Sequence, residues 1–548
     1  MLTRSFSPPE ERAGILAYSP MLHARLFADS QKYRDQHFQP TRRRRRSGQL
    51  ASSPADPTRP TTAEPTAIDG EEQEEPYLDG NPSLDRPLIV QFCANDPDTL
   101  LAAARLVAPH CDAVDLNLGC PQGIARKGRY GAFLQEDQDL IFRMVRTLHE
   151  NLPVPVTAKI RILDTREATL AYAQNVLAAG ASFLTVHGRR REQKGHLTGL
   201  ADWAAIRYLR EQLPPETVLF ANGNVLQPAD LARCLAATGA DAVMSAEANL
   251  SDPGLFAARP PPGAEGREYW RPADGRPATG GWRVDAVARR YLDILHRYVL
   301  GTEPPARRPL FVPGDDIDEA AWSAPTTTTA AAAEDGEPLR KKRKGAAGEG
   351  GSVPAGRAAN IPGLQAHLFH LLRHFVARHT DVRDALARAP RGGMPAYEAV
   401  LAMVERKVAA GLVEYERTGG EAEVDAAGGS VPAGEDGDGV VVDVVDDPDC
   451  STGAVNRCRR PWWVVQPIVR PLPKEAVAKG AVVLSKKQGK RAREQEGGEV
   501  LAAPVDKTPG PGEGESANLA RGGGEGAAGP VATLEDTTNF QQSGLVSG

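Results

Sequence analysis

No run of about 18 apolar residues occurs in this 548-residue chain, which excludes an ordinary membrane-spanning helix. The first twenty residues also lack the compact apolar core of a secretory leader. Cysteine is scarce: the six thiols (Cys93, Cys111, Cys120, Cys234, Cys450 and Cys458) form no C-x-x-C pair and no dense framework, so neither a disulfide scaffold nor a thiolate metal cage is written here. Charge of one sign is lacking too. The net charge is −6, so any nucleic-acid surface must be a local patch rather than a global polycation. These absences lead to the expectation of a reduced, soluble protein of the cytoplasm or nucleus. What is abundant is glycine and proline, 54 and 45 residues, unevenly spread; the length suits two or three ordered domains joined by disordered segments.

The dense part runs from residue 14 to about 260. Short β-rich runs recur at Gly14–Ser19, Pro87–Cys93, Ala113–Leu118, Val154–Ile162, Phe183–His187, Val218–Ala221 and Ala242–Ser245. Helix-like stretches separate them, such as Leu100, Leu101, Ala104 and Val107, or Leu140, Ile141, Met144, Val145 and Leu148. Asp96-Pro97 reads as an N-cap followed by proline at the first helical position. The strand ends are spaced on the order of 30 residues apart, the length of a βα repeat. A parallel sheet covered by helices follows, and polar residues at successive strand ends favour a (β/α)8 TIM barrel over an open doubly wound sheet. Residues 40–84 open on Arg42 to Arg46 and continue in Ser, Pro, Thr and acidic residues, which predicts a disordered insertion. A helical domain is expected over 280–473, interrupted by disorder at 302–358 and 417–456, with a disordered tail at 480–548.

Chemistry concentrates at the strand ends. Val114-Asp115-Leu116-Asn117-Leu118 stops abruptly at Gly119-Cys120-Pro121, which presents a thiol where barrel enzymes place their sites. A small buried hydrophobe is the commoner fate of such a cysteine. Lys159 interrupts an apolar strand, which is costly unless something electron-rich receives it or the strand has already ended in solvent. His187 follows Leu184-Thr185-Val186 and suits phosphate binding or proton transfer, or else a satisfied core position. Asn222-Gly223-Asn224 is a turn signal as well as a strand end. Ser245-Ala246-Glu247 closes the last strand, where barrels hold phosphate on backbone N–H groups. Each signal alone is weak, but five consecutive strands end this way. Farther on, His367, His370, Arg373, His374 and Arg378 share a helix, with Arg383 and Arg388 following. His370 and His374 lack a third metal ligand, so no metal is expected, and a solvated basic face competes with phosphate contact.

Several segments together resemble the tRNA-dihydrouridine synthase family, in its eukaryotic 16/17 branch. They are Tyr18-Ser19-Pro20-Met21-Leu22-His23-Ala24, Val90 to Asp96, Asp115 to Gly128, Val156 to Arg161, Leu184 to Gly195, Ala221 to Asn224 and Met244 to Glu247. Arg459-Arg460-Pro461-Trp462-Trp463 with Gln466-Pro467 resembles the family's C-terminal segment. The resemblance implies a flavin enzyme with FMN at the carboxyl mouth of the barrel. Gln91 and Lys159 would meet the isoalloxazine, with Asn117 also on the cofactor side. His187, Asn222, Gly223, Asn224, Ala246 and Glu247 would hold the ribityl chain and phosphate. It further implies NADPH as reductant, hydride transfer to C6 of a D-loop uracil flipped from its stack, and Cys120 as the acid that protonates C5. The partner is then tRNA, gripped by the helical domain, and a monomer without membrane or metal is expected.

The chain departs from the family in two places. Only residues 1–13 precede what aligns as the second barrel strand, so the first strand and its helix are expected to be missing. Ala248 stands where the family usually has glycine, which predicts a more crowded phosphate end. Two competing readings follow: a flavin barrel acting on a free pyrimidine, and a tRNA-binding relative that has lost turnover with its first strand. Lys341 to Lys344, and Lys486-Lys487 with Lys490-Arg491, are candidate nuclear addresses or merely solvating runs.

Overall fold

A computed structural model describes residues 1–45, 72–272, 280–315, 361–418 and 460–470, together with residues 454, 458 and 472. The strands are β1 (Ala17–Tyr18), β2 (Leu22–His23), β3 (Thr41–Arg45), β4 (Glu72–Pro76), β5 (Leu88–Cys93), β6 (Ala113–Leu118), β7 (Val156–Arg161), β8 (Phe183–His187), β9 (Val218–Asn222), β10 (Ala242–Met244), β11 (Tyr269–Trp270) and β12 (Gly281–Trp282). The main sheet is parallel in the order β1-β5-β6-β7-β8-β9-β10, with β2 also on β5. Every expected run becomes a strand, and helices lie between them as a TIM-barrel-like fold requires. Among the described residues no pairing joins β10 to β1.

Alternation within the strands explains both the core and the site. In β6, Val114, Leu116 and Leu118 join the hydrophobic cluster under the helices, while Asp115 and Asn117 take the opposite face. In β7, Val156, Ala158 and Ile160 pack outward against Thr157, Lys159 and Arg161 inward, and in β8 Leu184 and Val186 alternate with Thr185 and His187. All of these residues are buried, so the strands look continuously apolar only if the inner, polar face is ignored. Tyr18 reaches across the interior, its hydroxyl 3.4 Å from Thr185 Oγ1.

Two expectations need adjustment. The strand read over Gly14–Ser19 is only two residues long; a 3-10 helix at Pro9–Gly14 precedes it, and Pro20 separates it from β2. The insertion is ordered at both ends, because β3 and β4 pair antiparallel and set Arg42 opposite Glu75. That ion pair is 2.5 Å long, and the Arg42 guanidinium lies 5.1 Å from the Tyr77 ring centroid. Residues 302–315 are likewise described: Leu310 and Phe311 are buried, and Arg307 pairs with Asp293 and Glu398. The remaining stretches expected to be disordered, 46–71, 316–358, 419–453 with 455–456, and 480–548, lie outside the described residues with both basic clusters.

The helical module matches its sequence pattern. Val284–Ile294 continues into a π turn at Leu295–Leu300, and helices follow at Ile361–Leu371, Arg373–Arg378, Thr380–Arg388 and Gly393–Arg417. Their shared core includes Phe375, Tyr397, Val404, Trp462 and Trp463. Gly411 is the point of closest approach, since a Cβ there would lie 2.4 Å from Trp462 Cζ2 and 3.2 Å from Trp463 Cε3. Gly411→Ala gains helix propensity of about 1 kcal/mol. Overpacking rigid indoles costs more, so a net loss of about 1–2 kcal/mol is expected. A thermal melt several degrees below wild type checks it; an unchanged or higher melting point means that the indoles repack freely.

Candidate active site at the strand mouth

A chain of hydrogen bonds runs across β5, β6 and β7 to Cys120. Register sets Gln91 beside Asp115 and Asp115 beside Thr157. Thr157 Oγ1 donates to Asp115 Oδ1 over 2.6 Å, and Gln91 Nε2 donates to Asp115 Oδ2 over 2.9 Å. An ionised carboxylate only accepts, so it orients the Gln91 amide with its oxygen turned the other way. Asn117 Nδ2 donates to that oxygen over 2.8 Å, which leaves Asn117 Oδ1 to accept from the backbone N–H groups of Gly119 and Cys120 at 3.0 and 2.9 Å. The carboxylate thereby determines the pose of the Cys120 loop five residues away.

Cations hold the same loop from its other side. Arg161 Nε donates to Gly119 O over 2.6 Å, and Lys194 Nζ donates to Pro121 O over 2.6 Å. Gly131, at φ +64°, passes so near that a Cβ would lie 2.8 Å from Cys120 Cβ. Cys120 itself is partly exposed. Burial pushes its thiol pKa up, while a backbone hydrogen bond from Gln122 and the charges of Arg161, Lys159 and Lys194 pull it back. Lys159 is buried, and its side chain makes no hydrogen bond or ion pair to another described residue. Burial first, then Arg161, draws its ammonium down to about 8. Asp115 is pushed up to about 6 by burial against the two hydrogen bonds that it accepts.

A second group lies at the ends of β8, β9 and β10. Arg189 Nη1 approaches His187 Nε2 at 3.1 Å, which makes Nε2 the acceptor and leaves the proton on Nδ1. That buried Nδ1 has no partner among the described residues. Burial, then the charges of Lys159, Arg161 and Arg189, holds the imidazole neutral. Asn222 Nδ2 donates to Met244 O over 2.9 Å, and its buried Oδ1 is unpartnered. Gly223 sits at φ +114°, where a Cβ would lie 2.6 Å from Ala201 Cβ; Asn224 follows at φ +59°, bonded to Arg189 Nη2. Arg189, Asn222, Gly223 and Asn224, with Ser245, Ala246, Glu247 and Ala248, line a cavity of about 340 Å³.

A scan against family models matches residues 61–268 to the dihydrouridine synthase (Dus) domain. The tRNA-dihydrouridine(16/17) synthase [NAD(P)(+)] of Schizosaccharomyces pombe is 35% identical over 469 residues, covering 85% of this chain and 84% of that protein. The chain belongs to the dihydrouridine synthase family. The Saccharomyces cerevisiae protein of the same name is 57% identical over 241 residues, 44% of this chain and 48% of the relative. A similarly named "-like" protein of Rattus norvegicus is 44% identical over 246 residues, 45% of this chain and 47% of its own length. The chain thus spans about half the length of these last two relatives.

The ten residues singled out in this dihydrouridine synthase sequence all fall at the carboxyl ends of the sheet, in two groups. Gln91, Asn117, Cys120 and Lys159 share the first. His187, Asn222, Gly223, Asn224, Ala246 and Glu247 share the second, and all but His187 line the cavity. Sequence reasoning did not assign Asp115, Thr157, Arg161, Arg189 and Lys194 to the site. Asp115 and Thr157 were detectable as polar residues at alternate positions in buried strands. On the helical module, Arg373, Arg378, Arg383 and Arg388 are exposed, whereas His367 and His374 turn inward to Tyr291 and to the Pro467 carbonyl, at 3.1 and 3.2 Å.

Proposed function

We propose that this protein is a flavin-dependent tRNA-dihydrouridine synthase that reduces the C5–C6 bond of D-loop uridines at the 16/17 positions. The observation that carries the reading is Lys159: a lysine on a buried strand face, its ammonium unbonded to any described residue, at the same strand mouth as a protonated thiol whose backbone is held from both sides. A buried cation of this kind is expensive unless an electron-rich group meets it.

The residues present suit FMN on structural grounds. His187 Nδ1–H is an unpartnered donor and Asn222 Oδ1 an unpartnered acceptor, and ribityl hydroxyls both donate and accept. Gly223 lets the chain turn at φ +114° against Ala201 and the His187 ring, which holds Asn222 and Asn224 at the cavity. Gln91 and Lys159 would hold the isoalloxazine, and Asn224, Ala246 and Glu247 the phosphate end. When bound, FMN supplies the hydride for C6 of the uracil and accepts replacement electrons from NADPH. Cys120 donates the proton to C5; Asn117, Arg161 and Lys194 hold it in place. Exposed arginines at 373, 378, 383, 388 and 391 on the helical module supply the phosphate contacts that tRNA requires.

Among the described residues β1 and β10 each leave one edge unpaired, which favours a second reading, a relative that binds tRNA without turning over. One assay separates the two. The purified full chain should carry flavin and, with NADPH, convert uridine to dihydrouridine in unmodified tRNA. Salt-sensitive tRNA binding with neither flavin nor product would establish the second reading instead.

A further inference from the structure

Glu247 is an awkward choice for a phosphate site, since a carboxylate facing a dianion repels it. The structure shows what that carboxylate holds. Arg470 Nη2 and Nε donate to Glu247 Oε1 at 2.5 and 3.1 Å, and Nε lies 3.3 Å from Oε2. The two residues are 223 positions apart in sequence, and both line the 340 Å³ cavity that Arg189 also enters. We infer that Arg470, delivered from the C-terminal segment, is the cation that binds the terminal phosphate of the flavin nucleotide, and that Glu247 is the residue that positions it. The inference rests on the flavin reading above and adds to it a binding residue from outside the barrel.

The segment that carries Arg470 is anchored on both sides. Val465 N donates to Trp282 O over 2.9 Å, and Trp463 O accepts from Val284 N at the same distance. Buried Arg460 donates through Nη1 to Val465 O over 2.9 Å and lies 3.5 Å from Asp252 Oδ2; Gln466 Nε2 donates back to Arg460 O over 2.9 Å. His374 meets the Pro467 carbonyl, so the last turn before Arg470 is tied to the helical module. Ile468 and Val469 then line the cavity ahead of the guanidinium. A bidentate arginine has the geometry and the permanent charge that phosphate recognition uses. Of the C-terminal residues described at this cavity, Ala454, Cys458, Ile468, Val469, Arg470 and Leu472, Arg470 alone carries a charge. Loading of the cofactor therefore depends on the C-terminal segment as well as the barrel.

The test uses the full chain stripped of flavin and titrated with FMN and with riboflavin, which lacks the phosphate, by flavin fluorescence. Wild type should prefer FMN. Arg470→Ala should weaken FMN about tenfold or more, the scale of a lost charge-assisted hydrogen bond, and leave riboflavin within about twofold. Arg470→Lys should recover part of the loss, and Glu247→Ala should reduce the FMN preference because Arg470 loses its hold. Riboflavin binding reports folding in the same samples. FMN and riboflavin affinities falling together, or neither moving, would overturn the role of Arg470. A rise in FMN preference with Glu247→Ala would overturn the positioning role. A raised KM for NADPH but not NADH, with FMN affinity unchanged, would assign Arg470 to the nicotinamide nucleotide and overturn the inference. If wild type binds neither flavin, it is the flavin reading that fails.

Discussion

Replacing Lys159 with methionine raises the melting temperature of the flavin-free protein and lowers its affinity for FMN. The first effect follows from burial. The Lys159 ammonium is drawn from 10.5 to about 8, chiefly by loss of water and then by Arg161, against the attraction of Asp115 and Cys120. A cation whose pKa is depressed on folding binds its proton more tightly in the unfolded chain. Stability therefore rises with pH between about 8 and 10.5, and at neutral pH the folded state bears the whole cost, about 3 kcal/mol at most. Methionine keeps the apolar stem and removes the charge; Asp115 loses its counter-charge in exchange, so the net gain is about 1–2 kcal/mol, a few degrees of melting temperature. The gain should shrink when the melts are repeated above pH 10, where wild-type Lys159 is neutral in both states. The second effect has the opposite sign, because in the proposed complex the flavin receives that cation. Loss of a charged hydrogen bond predicts about a tenfold to hundredfold weaker FMN complex. A lower melting temperature at pH 7 would show that Lys159 serves Asp115 as a structural ion pair and is not held for a ligand.

Destabilised residues of this kind are what the sequence shows best. Lys159, His187 and Asn222 break apolar strands, and a polar group placed where burial is certain announces either an error in the reading or a site. The strand positions, the Asp96 cap and the helical stripe from Val284 were legible for the same reason, since each is a local pattern. Asp96 Oδ2 does accept from Thr99 N, at 2.9 Å. What was not legible depends on pairing between distant segments. The Gln91–Asp115–Asn117 chain exists only because β5 and β6 pair in one register; a shift of one residue would turn Asp115 into the helix layer. Arg42 was read as part of a disordered run because its partner Glu75 lies beyond a long insertion. Arg470 is the extreme case. Its segment resembled the family's C-terminal stretch, but nothing local to it pointed to the mouth of a barrel.

Replacement of Cys120 should separate the two half-reactions. With Cys120→Ala, dihydrouridine formation in tRNA is expected to fall by about 10²–10⁴-fold, the usual share of a positioned acid, while reduction of the bound flavin by NADPH continues within about threefold. Two observations favour this thiol as the proposed donor. Burial raises its pKa, so it holds its proton at neutral pH; Arg161, Lys159 and Lys194 lie around it and stabilise the thiolate left after transfer. Cys120→Ser distinguishes proton donation from shape. Serine restores a polar group on the same backbone, still held by Asn117 Oδ1 and Arg161, but its hydroxyl is far too weak an acid to leave an anion behind. It should be nearly as inactive as alanine. In wild type, the rate of the tRNA half-reaction should stay level through neutral pH and decline only at a pH above the ordinary thiol range, where the raised thiol ionises. A serine variant that works as well as wild type, or an alanine variant with full product formation, would remove Cys120 from the reaction. The proton would then have to come from another group at the mouth, and Lys159, with its pKa near 8, is the one placed to supply it.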